Sequence, residues 1–135
     1  RTYFVDCYNA NPASMKDSIE FFAERFKGQP KLYILGGMEE LGPKAKELHE
    51  KVGEDVHVES SDLFVMIGEK ASWFAPGLLD AGAKEEQLMI FNDKELARSL
   101  IEDFDGSVLL KGSRVNELEQ LLPSWTVPQE EALEC

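Results

Sequence analysis

Cysteine is scarce. Cys7 and Cys135 are the only two in 135 residues, and they form neither a CxxC pair nor a zinc-ligand spacing. A disulfide scaffold, a zinc ribbon and a dithiol redox motif are thereby excluded, and two reduced thiols in a cytosolic protein are the simplest state. Basic residues are also few, 14 Lys and Arg against 26 Asp and Glu, a formal charge of -12. Such a surface repels nucleic-acid phosphates and anionic lipid, so neither is a fitting partner, and the acidity otherwise serves solubility. No apolar run is long enough to span a bilayer, and no signal peptide is visible. A G-x-x-x-x-G-K-[ST] loop is missing, so ATP phosphates have no P-loop cradle here. There is no internal repeat and no linker, which leaves one domain over residues 1–135. The initiator Met is missing too, and the chain opens inside the strand-like run Arg1–Val5, as a domain cut from a longer polypeptide would.

What is present alternates strand and helix. Tyr3–Asp6 reads as a strand, and Asn11-Pro12 starts a helix by offering a cap and a proline at the first helical position. Met15, Ile19, Phe22 and Phe26 then mark its apolar face, and Gly28 ends it. Lys31–Leu35 is a second strand, broken by Gly36-Gly37. A helix after Pro43 turns Ala45, Leu48 and Val52 inward. Leu63–Ile67 is a third strand, and a weaker helix over residues 71–81 is interrupted at Pro76-Gly77. Leu88–Phe91 and Val108–Leu110 are further strands, separated by a helix that Asn92 or Asp93 caps and that carries Leu96, Leu100 and Phe104 inward. Ser113 is placed to cap a last helix bearing Leu118, Leu121 and Leu122, and Trp125–Val127 in the Pro- and Glu-rich tail suits an edge strand.

Strands this apolar are buried on both faces, and their alternation with helices makes them parallel with right-handed crossovers. The expected fold is a three-layer, doubly wound α/β domain with a mostly parallel, Rossmann-like sheet. In that architecture ligands meet loops at the carboxyl ends of strands. Three loops there carry unusual residues. The first runs from Asp6 through Tyr8, Asn9 and Asn11 to Pro12, a carboxylate, a phenol and amides suited to a sugar or nucleoside. Its plain alternative is a helix cap at Asn11 and a loop-bonding Asp6. The second, Leu35-Gly36-Gly37-Met38-Glu39-Glu40-Leu41-Gly42, has glycines for a close approach or a turn. The third, Lys111-Gly112-Ser113-Arg114, sets two cations at an expected helix start, an arrangement for a phosphate or carboxylate in a chain otherwise acidic, with a solvated basic turn as the plain alternative.

Taken in order, Asp6-x-Tyr8-Asn9-Ala10-Asn11-Pro12-x-Ser14-Met15, the Leu35–Gly42 loop and Lys111-Gly112-Ser113-Arg114 resemble the C-terminal domain of the Mur ligases, in the branch that adds D-alanyl-D-alanine to UDP-N-acetylmuramoyl-tripeptide. The resemblance runs from Asp6 to Leu122, and Leu48-His49 fits it as well. It implies a cytoplasmic bacterial enzyme of peptidoglycan synthesis with three domains, of which an N-terminal UDP-sugar domain and a central ATPase domain lie outside this chain. ATP would activate a peptide carboxylate as an acyl phosphate, which the dipeptide amine attacks. Mg2+ ligands and the P-loop would belong to the central domain, so this chain would hold no metal ligand or catalytic residue and be inactive alone. The resemblance gives Asp6 the ATP ribose and Tyr8, Asn9 and Asn11 the nucleotide edge. It points Lys111, Gly112, Ser113 and Arg114 at the substrate cleft.

Three positions depart from the family pattern. Gly37 stands where Asp is usual, Val5 precedes Asp6 where a second Asp is common, and Val115 replaces a glycine. They keep a rival reading open, a non-catalytic Rossmann-like binding or regulatory module on the same fold. A flavodoxin-like redox or response domain is a third reading, but Asn9-Ala10-Asn11-Pro12 is neither a phosphate loop nor an acidic cluster.

Overall fold

The computed structural model describes residues 2–6, 10–113 and 116–121, without the side chains of Asp6 and Glu119. Its strands are β1 (Tyr3–Asp6), β2 (Lys31–Gly36), β3 (Leu63–Ile67), β4 (Leu88–Phe91) and β5 (Ser107–Lys111). They form one sheet in the order β1-β5-β2-β3-β4, and every neighbouring pair is parallel. The helices are α1 (Pro12–Arg25), α2 (Ala45–Glu54), α3 (Glu69–Ser72), α4 (Ala75–Asp80) and α5 (Arg98–Asp103). None of the described helices is long and apolar enough to cross a membrane.

The sheet divides the core in two, as the apolar strands require. One face packs Tyr33, Leu35, Phe64, Met66 and Leu109 against α1, α2 and α4 through Met15, Ile19, Phe22, Val52, Phe74 and Leu78. The other packs Leu32, Ile34, Val65, Val108 and Leu110 against Ala97 and Ile101, and against Leu118 and Leu121 beyond β5. Each side chain so buried contributes roughly 1.5–3 kcal/mol, which is what holds short helices that would be marginal in water. Three crossovers step one way along the sheet on the first face, and the fourth steps back on the second. Reversing direction and face together keeps one hand throughout.

Several expectations shift by a residue or two. Val52 is inward on α2 with His49 and Gly53, while Ala45 and Leu48 are only half-buried. Glycine sets that face: a Cβ on Gly77 would run into the backbone of Glu50 and Glu54, and one on Gly53 would stand 2.9 Å from Leu78 N. Two glycines thus let α2 and α4 meet backbone to backbone. The break expected at Pro76-Gly77 falls earlier, at Trp73-Phe74, and Pro76 sits in the first turn of α4, where its missing N–H costs nothing.

Leu96 is not inward but 60% exposed. Lys94–Ala97 wind as a 3-10 turn before α5, so the inward pair becomes Ala97 and Ile101, with Leu100 and Phe104 at its margin. Strand β4 is a sheet edge and is not buried on both faces; Ile90 is half exposed. The expected edge strand at Trp125–Val127 and Leu122 lie outside the described residues.

A buried ion cluster closes the amino ends of the strands. Lys31 Nζ, without solvent exposure, donates to Glu59 Oε1 at 2.6 Å and to the carbonyls of Phe26 and Gln29, with Asp62 Oδ1 at 3.2 Å. Glu59 also accepts from Gly28 N–H, and its bond to Lys31 holds its carboxyl below the usual range. Burial pushes Asp62 the other way, although Glu59 N–H donates to its Oδ2. Burial and these two carboxylates raise the nearby Tyr33 phenol, which stacks on Phe64.

Candidate functional site

The site is set by strand order. Because β5 lies between β1 and β2, the three loops singled out in the sequence leave adjacent strands at one end of the sheet. Asp6 is level with Lys111, and Lys111 with Leu35. The chain leaves β1 and β2 toward the α1–α2 face and leaves β5 toward the opposite face, where Leu118 and Leu121 pack. Exits that diverge in this way make β5 a topological switch point, the kind of place where doubly wound sheets take ligands.

Two expectations about the third loop are corrected. Lys111 is the last residue of β5 and has no solvent exposure, so it is not an exposed loop cation. It ends an interior strand, paired with Asp6 of β1 on one side and Leu35 of β2 on the other. No α-helix follows Ser113 among the described residues: Asn116 is in a 3-10 turn, Glu117 takes a left-handed φ of 50°, and Leu118–Leu121 form a further 3-10 turn. Capping chemistry is present in reverse: Asn116 Oδ1 accepts from Ser113 N–H at 2.8 Å and from Ser113 Oγ at 3.2 Å, and Asn116 N–H donates to Ser113 O. Gly112 and Ser113 are buried, and Arg114 and Val115 lie outside the described residues.

Asn116 also explains two glycines. A Cβ on Gly36 would collide with the Asn116 carboxamide, and one on Gly112 would stand 2.6 Å from Asn116 Oδ1 and 3.1 Å from Gly36 Cα. The second and third loops are therefore locked together, with the Asn116 side chain filling the space two side chains would need.

In the first loop, Asp6 ends β1, and Cys7, Tyr8 and Asn9 lie outside the described residues. Asn11 is the N-cap of α1: its Oδ1 accepts from Ser14 N–H at 2.9 Å, and its own N–H donates to Ser14 Oγ at 3.0 Å. That reciprocal box is the plain alternative weighed for Asn11, and it commits the carboxamide oxygen to the helix.

The second loop is held from below. His49 Nε2 accepts from Met38 N–H at 2.9 Å, and Nδ1 lies 2.6 Å from Ala45 O. An acceptor at Nε2 must be unprotonated, so the proton belongs on Nδ1 and the ring is neutral. Burial lowers its pKa; the bond to Ala45 and Glu39 oppose that, and Lys70 adds to it. Glu39 pairs with Lys70 at 2.7 Å, tying this loop to α3. The departure at Gly37 has a local reason: a Cβ there would stand 2.5 Å from Lys70 Cβ. Glu40 takes a left-handed φ of 58°, and Gly42 one of 72°. Among the described residues no group of three or more His, Cys, Asp and Glu gathers as a metal site.

The residues the sequence reading passed over are Asn116 and Lys70; His49 was noted only as fitting a pattern. Each left a signal. Ser113 and Asn116 are three apart, the spacing of a local side-chain cap, and Ala45 and His49 are four apart on a helix. Lys70 is distant in sequence from Glu39, and only the β2–β3 pairing brings them together.

A doubly wound α/β domain with three motif loops around one switch-point strand is the class that fold and site define. Comparison with known proteins gives the family: the chain belongs to the Mur ligase family as its glutamate ligase domain, whose profile matches residues 1–114. It is 36% identical, over 135 aligned positions, to the UDP-N-acetylmuramoyl-tripeptide--D-alanyl-D-alanine ligase of Treponema pallidum, covering 90% of this chain and 27% of that protein. The enzyme of the same name from Bacillus subtilis is 29% identical, with 87% and 26% covered. Among solved structures, MurF from Acinetobacter baumannii superposes with a TM-score of 0.66 at 27% identity, covering 85% of this chain and 26% of that one. MurF ligase from Thermotoga maritima in complex with ADP gives 0.62 at 28% identity, with 85% and 25% covered. The chain thus spans about a quarter of the length of these relatives.

Proposed function

We propose that this chain is the closing domain of an ATP-dependent amide ligase that joins D-alanyl-D-alanine to UDP-N-acetylmuramoyl-tripeptide in the bacterial cytoplasm. The observation that carries the reading is the meeting of the Asp6, Gly36 and Lys111 loops around β5 in a chain of this family. A carboxylate at the end of β1, beside the switch-point strand, is chemically suited to a ribose hydroxyl. We assign Asp6, Tyr8, Asn9 and Asn11 to the nucleotide, and Lys111, Gly112, Ser113 and Arg114 to the incoming substrate. When bound, ATP supplies the phosphoryl group that makes the peptide carboxylate reactive, and Mg2+ is held by the other domains of such an enzyme. The task of this domain is to bind, orient and exclude water.

The test is phosphate release by the full-length protein with Mg-ATP, UDP-N-acetylmuramoyl-tripeptide and D-alanyl-D-alanine. Turnover is expected only with all three present, and not with the 135-residue chain alone. In the full-length protein Asp6→Ala should raise the KM for ATP by roughly ten- to a hundred-fold, the value of one charged hydrogen bond. No dipeptide-dependent phosphate release from the unsubstituted protein would sink the reading.

A further inference from the structure

The β2–α2 loop leaves the sheet beside the switch-point strand β5, yet few backbone groups hold it. Between the end of β2 and the 3-10 turn at Gly42–Lys44 there is no regular structure, and Glu40 is in a left-handed conformation. Met38 is fully covered, so its N–H must find a partner inside the protein. That partner is a side chain rather than backbone, Nε2 of His49 from the second turn of α2. The imidazole is fixed in turn by Nδ1 on the Ala45 carbonyl, and by the rings of Trp73 at 5.3 Å and Phe74 at 4.9 Å. The acceptor is thus aimed by three separate contacts at one amide of the loop.

We propose that His49 is a positioning residue: by accepting from Met38 N–H while anchored to Ala45, it latches the Gly36–Leu41 loop in the shape that meets ligand at the carboxyl end of the sheet. The latch as such stands on the hydrogen bonds alone; its consequence for turnover rests on the ligase reading. The side chain suits the role. Among neutral side chains of this size, imidazole alone carries a donor on one edge and an acceptor on the other in a fixed ring. Phe would keep the packing and lose both bonds. Gln would keep an acceptor near the Nε2 position.

Three measurements test the latch. In the 135-residue chain, 15N chemical shifts of His49 should report the proton on Nδ1 at neutral pH. A proton on Nε2 overturns the proposal without any variant. Amide exchange should show Met38 protected, accelerated about tenfold or more in His49→Phe relative to Leu35 inside β2, and largely restored in His49→Gln, as for the loss of one hydrogen bond. Unchanged Met38 exchange in His49→Phe overturns it. In the full-length protein, His49→Phe should raise the KM of ATP or the dipeptide about tenfold with a smaller change in kcat, and His49→Gln should stay within about threefold of the parent. Equal losses in both variants would mark a packing role only. A parent protein without dipeptide-dependent turnover would sink the ligase reading, while the tautomer and exchange results would still decide the latch.

Discussion

Lys31 Nζ stands 3.2 Å from Asp62 Oδ1, and neither side chain has any solvent exposure. Glu59, at 2.6 Å from the same ammonium, is the only carboxylate of the cluster that reaches water. Removing the cation would leave a buried carboxylate without its counter-charge. Lys31→Met should therefore destabilise the fold by about 3–5 kcal/mol, toward the lower end because Glu59 can turn outward. A denaturant melt measures this. A loss of under about 1 kcal/mol would mean that Asp62 is neutral in the native state and needs no cation.

Acid should weaken the domain through His49. Its folded pKa is lowered, first by burial and further by Lys70, against the raising effects of Ala45 O and Glu39. The unfolded value is the ordinary one, about 6.5. Between the two, the unfolded chain binds more protons than the folded one. The contribution is complete above about pH 6.5 and is lost as pH falls through that value toward the folded pKa. Melts from about pH 8 to about pH 5 should show this loss in the parent and a shallower one in His49→Gln, which has no group to protonate there. Equal pH slopes would show that His49 titrates alike in both states.

The strands and layers were legible because hydrophobic periodicity is a property of the chain itself. Lys31–Leu35 and Leu63–Ile67 could be buried nowhere but in a sheet covered on both sides, and Asn11-Pro12 is a local cap. The site was legible as three loops but not as an assembly. Nothing local to Lys111 says that it ends an interior strand with no exposure, because that depends on β5 returning between β1 and β2. The helix phases were misjudged where a 3-10 turn precedes the α-helix, at Gly42–Lys44 and Lys94–Ala97, since a tighter turn shifts every later residue around the axis. Asn116 was overlooked because its partners Gly36 and Gly112 meet only in space.

That three-way contact makes a quantitative prediction. Gly36→Ala places a methyl group against the Asn116 carboxamide, an overpacking that typically costs about 1–3 kcal/mol. Asn116→Ala leaves Ser113 N–H and Oγ without their acceptor, at a similar cost of about 1–3 kcal/mol. The two changes should not add. In the Asn116→Ala background the carboxamide is gone, and the penalty for Gly36→Ala should fall by at least about 1 kcal/mol. Denaturant midpoints of the two single variants and the double variant measure the coupling. Additive losses would mean that the Gly36 backbone, not the Asn116 side chain, resists the methyl.

Lys111 is where structure and proposed function must be separated, since a buried strand residue invites a purely structural explanation. Its side chain has no exposure, and its strand lies between Asp6 and Leu35 in register. Lys111→Ala removes the buried stem as well as the charge and should cost about 2–4 kcal/mol, the range of large-to-small core changes. Lys111→Met keeps most of the stem, so its cost should be less than half as great if packing dominates. Turnover of the full-length protein then distinguishes the roles. If the ammonium meets the incoming substrate, both variants lose activity to a similar degree despite their different stabilities, because both lack the cation. If Lys111 only fills the sheet, Lys111→Met stays near parental activity and Lys111→Ala falls in step with its stability. Melts and steady-state kinetics on the same preparations decide the matter, and retained turnover in Lys111→Met would remove Lys111 from the substrate site while leaving its place in the core intact.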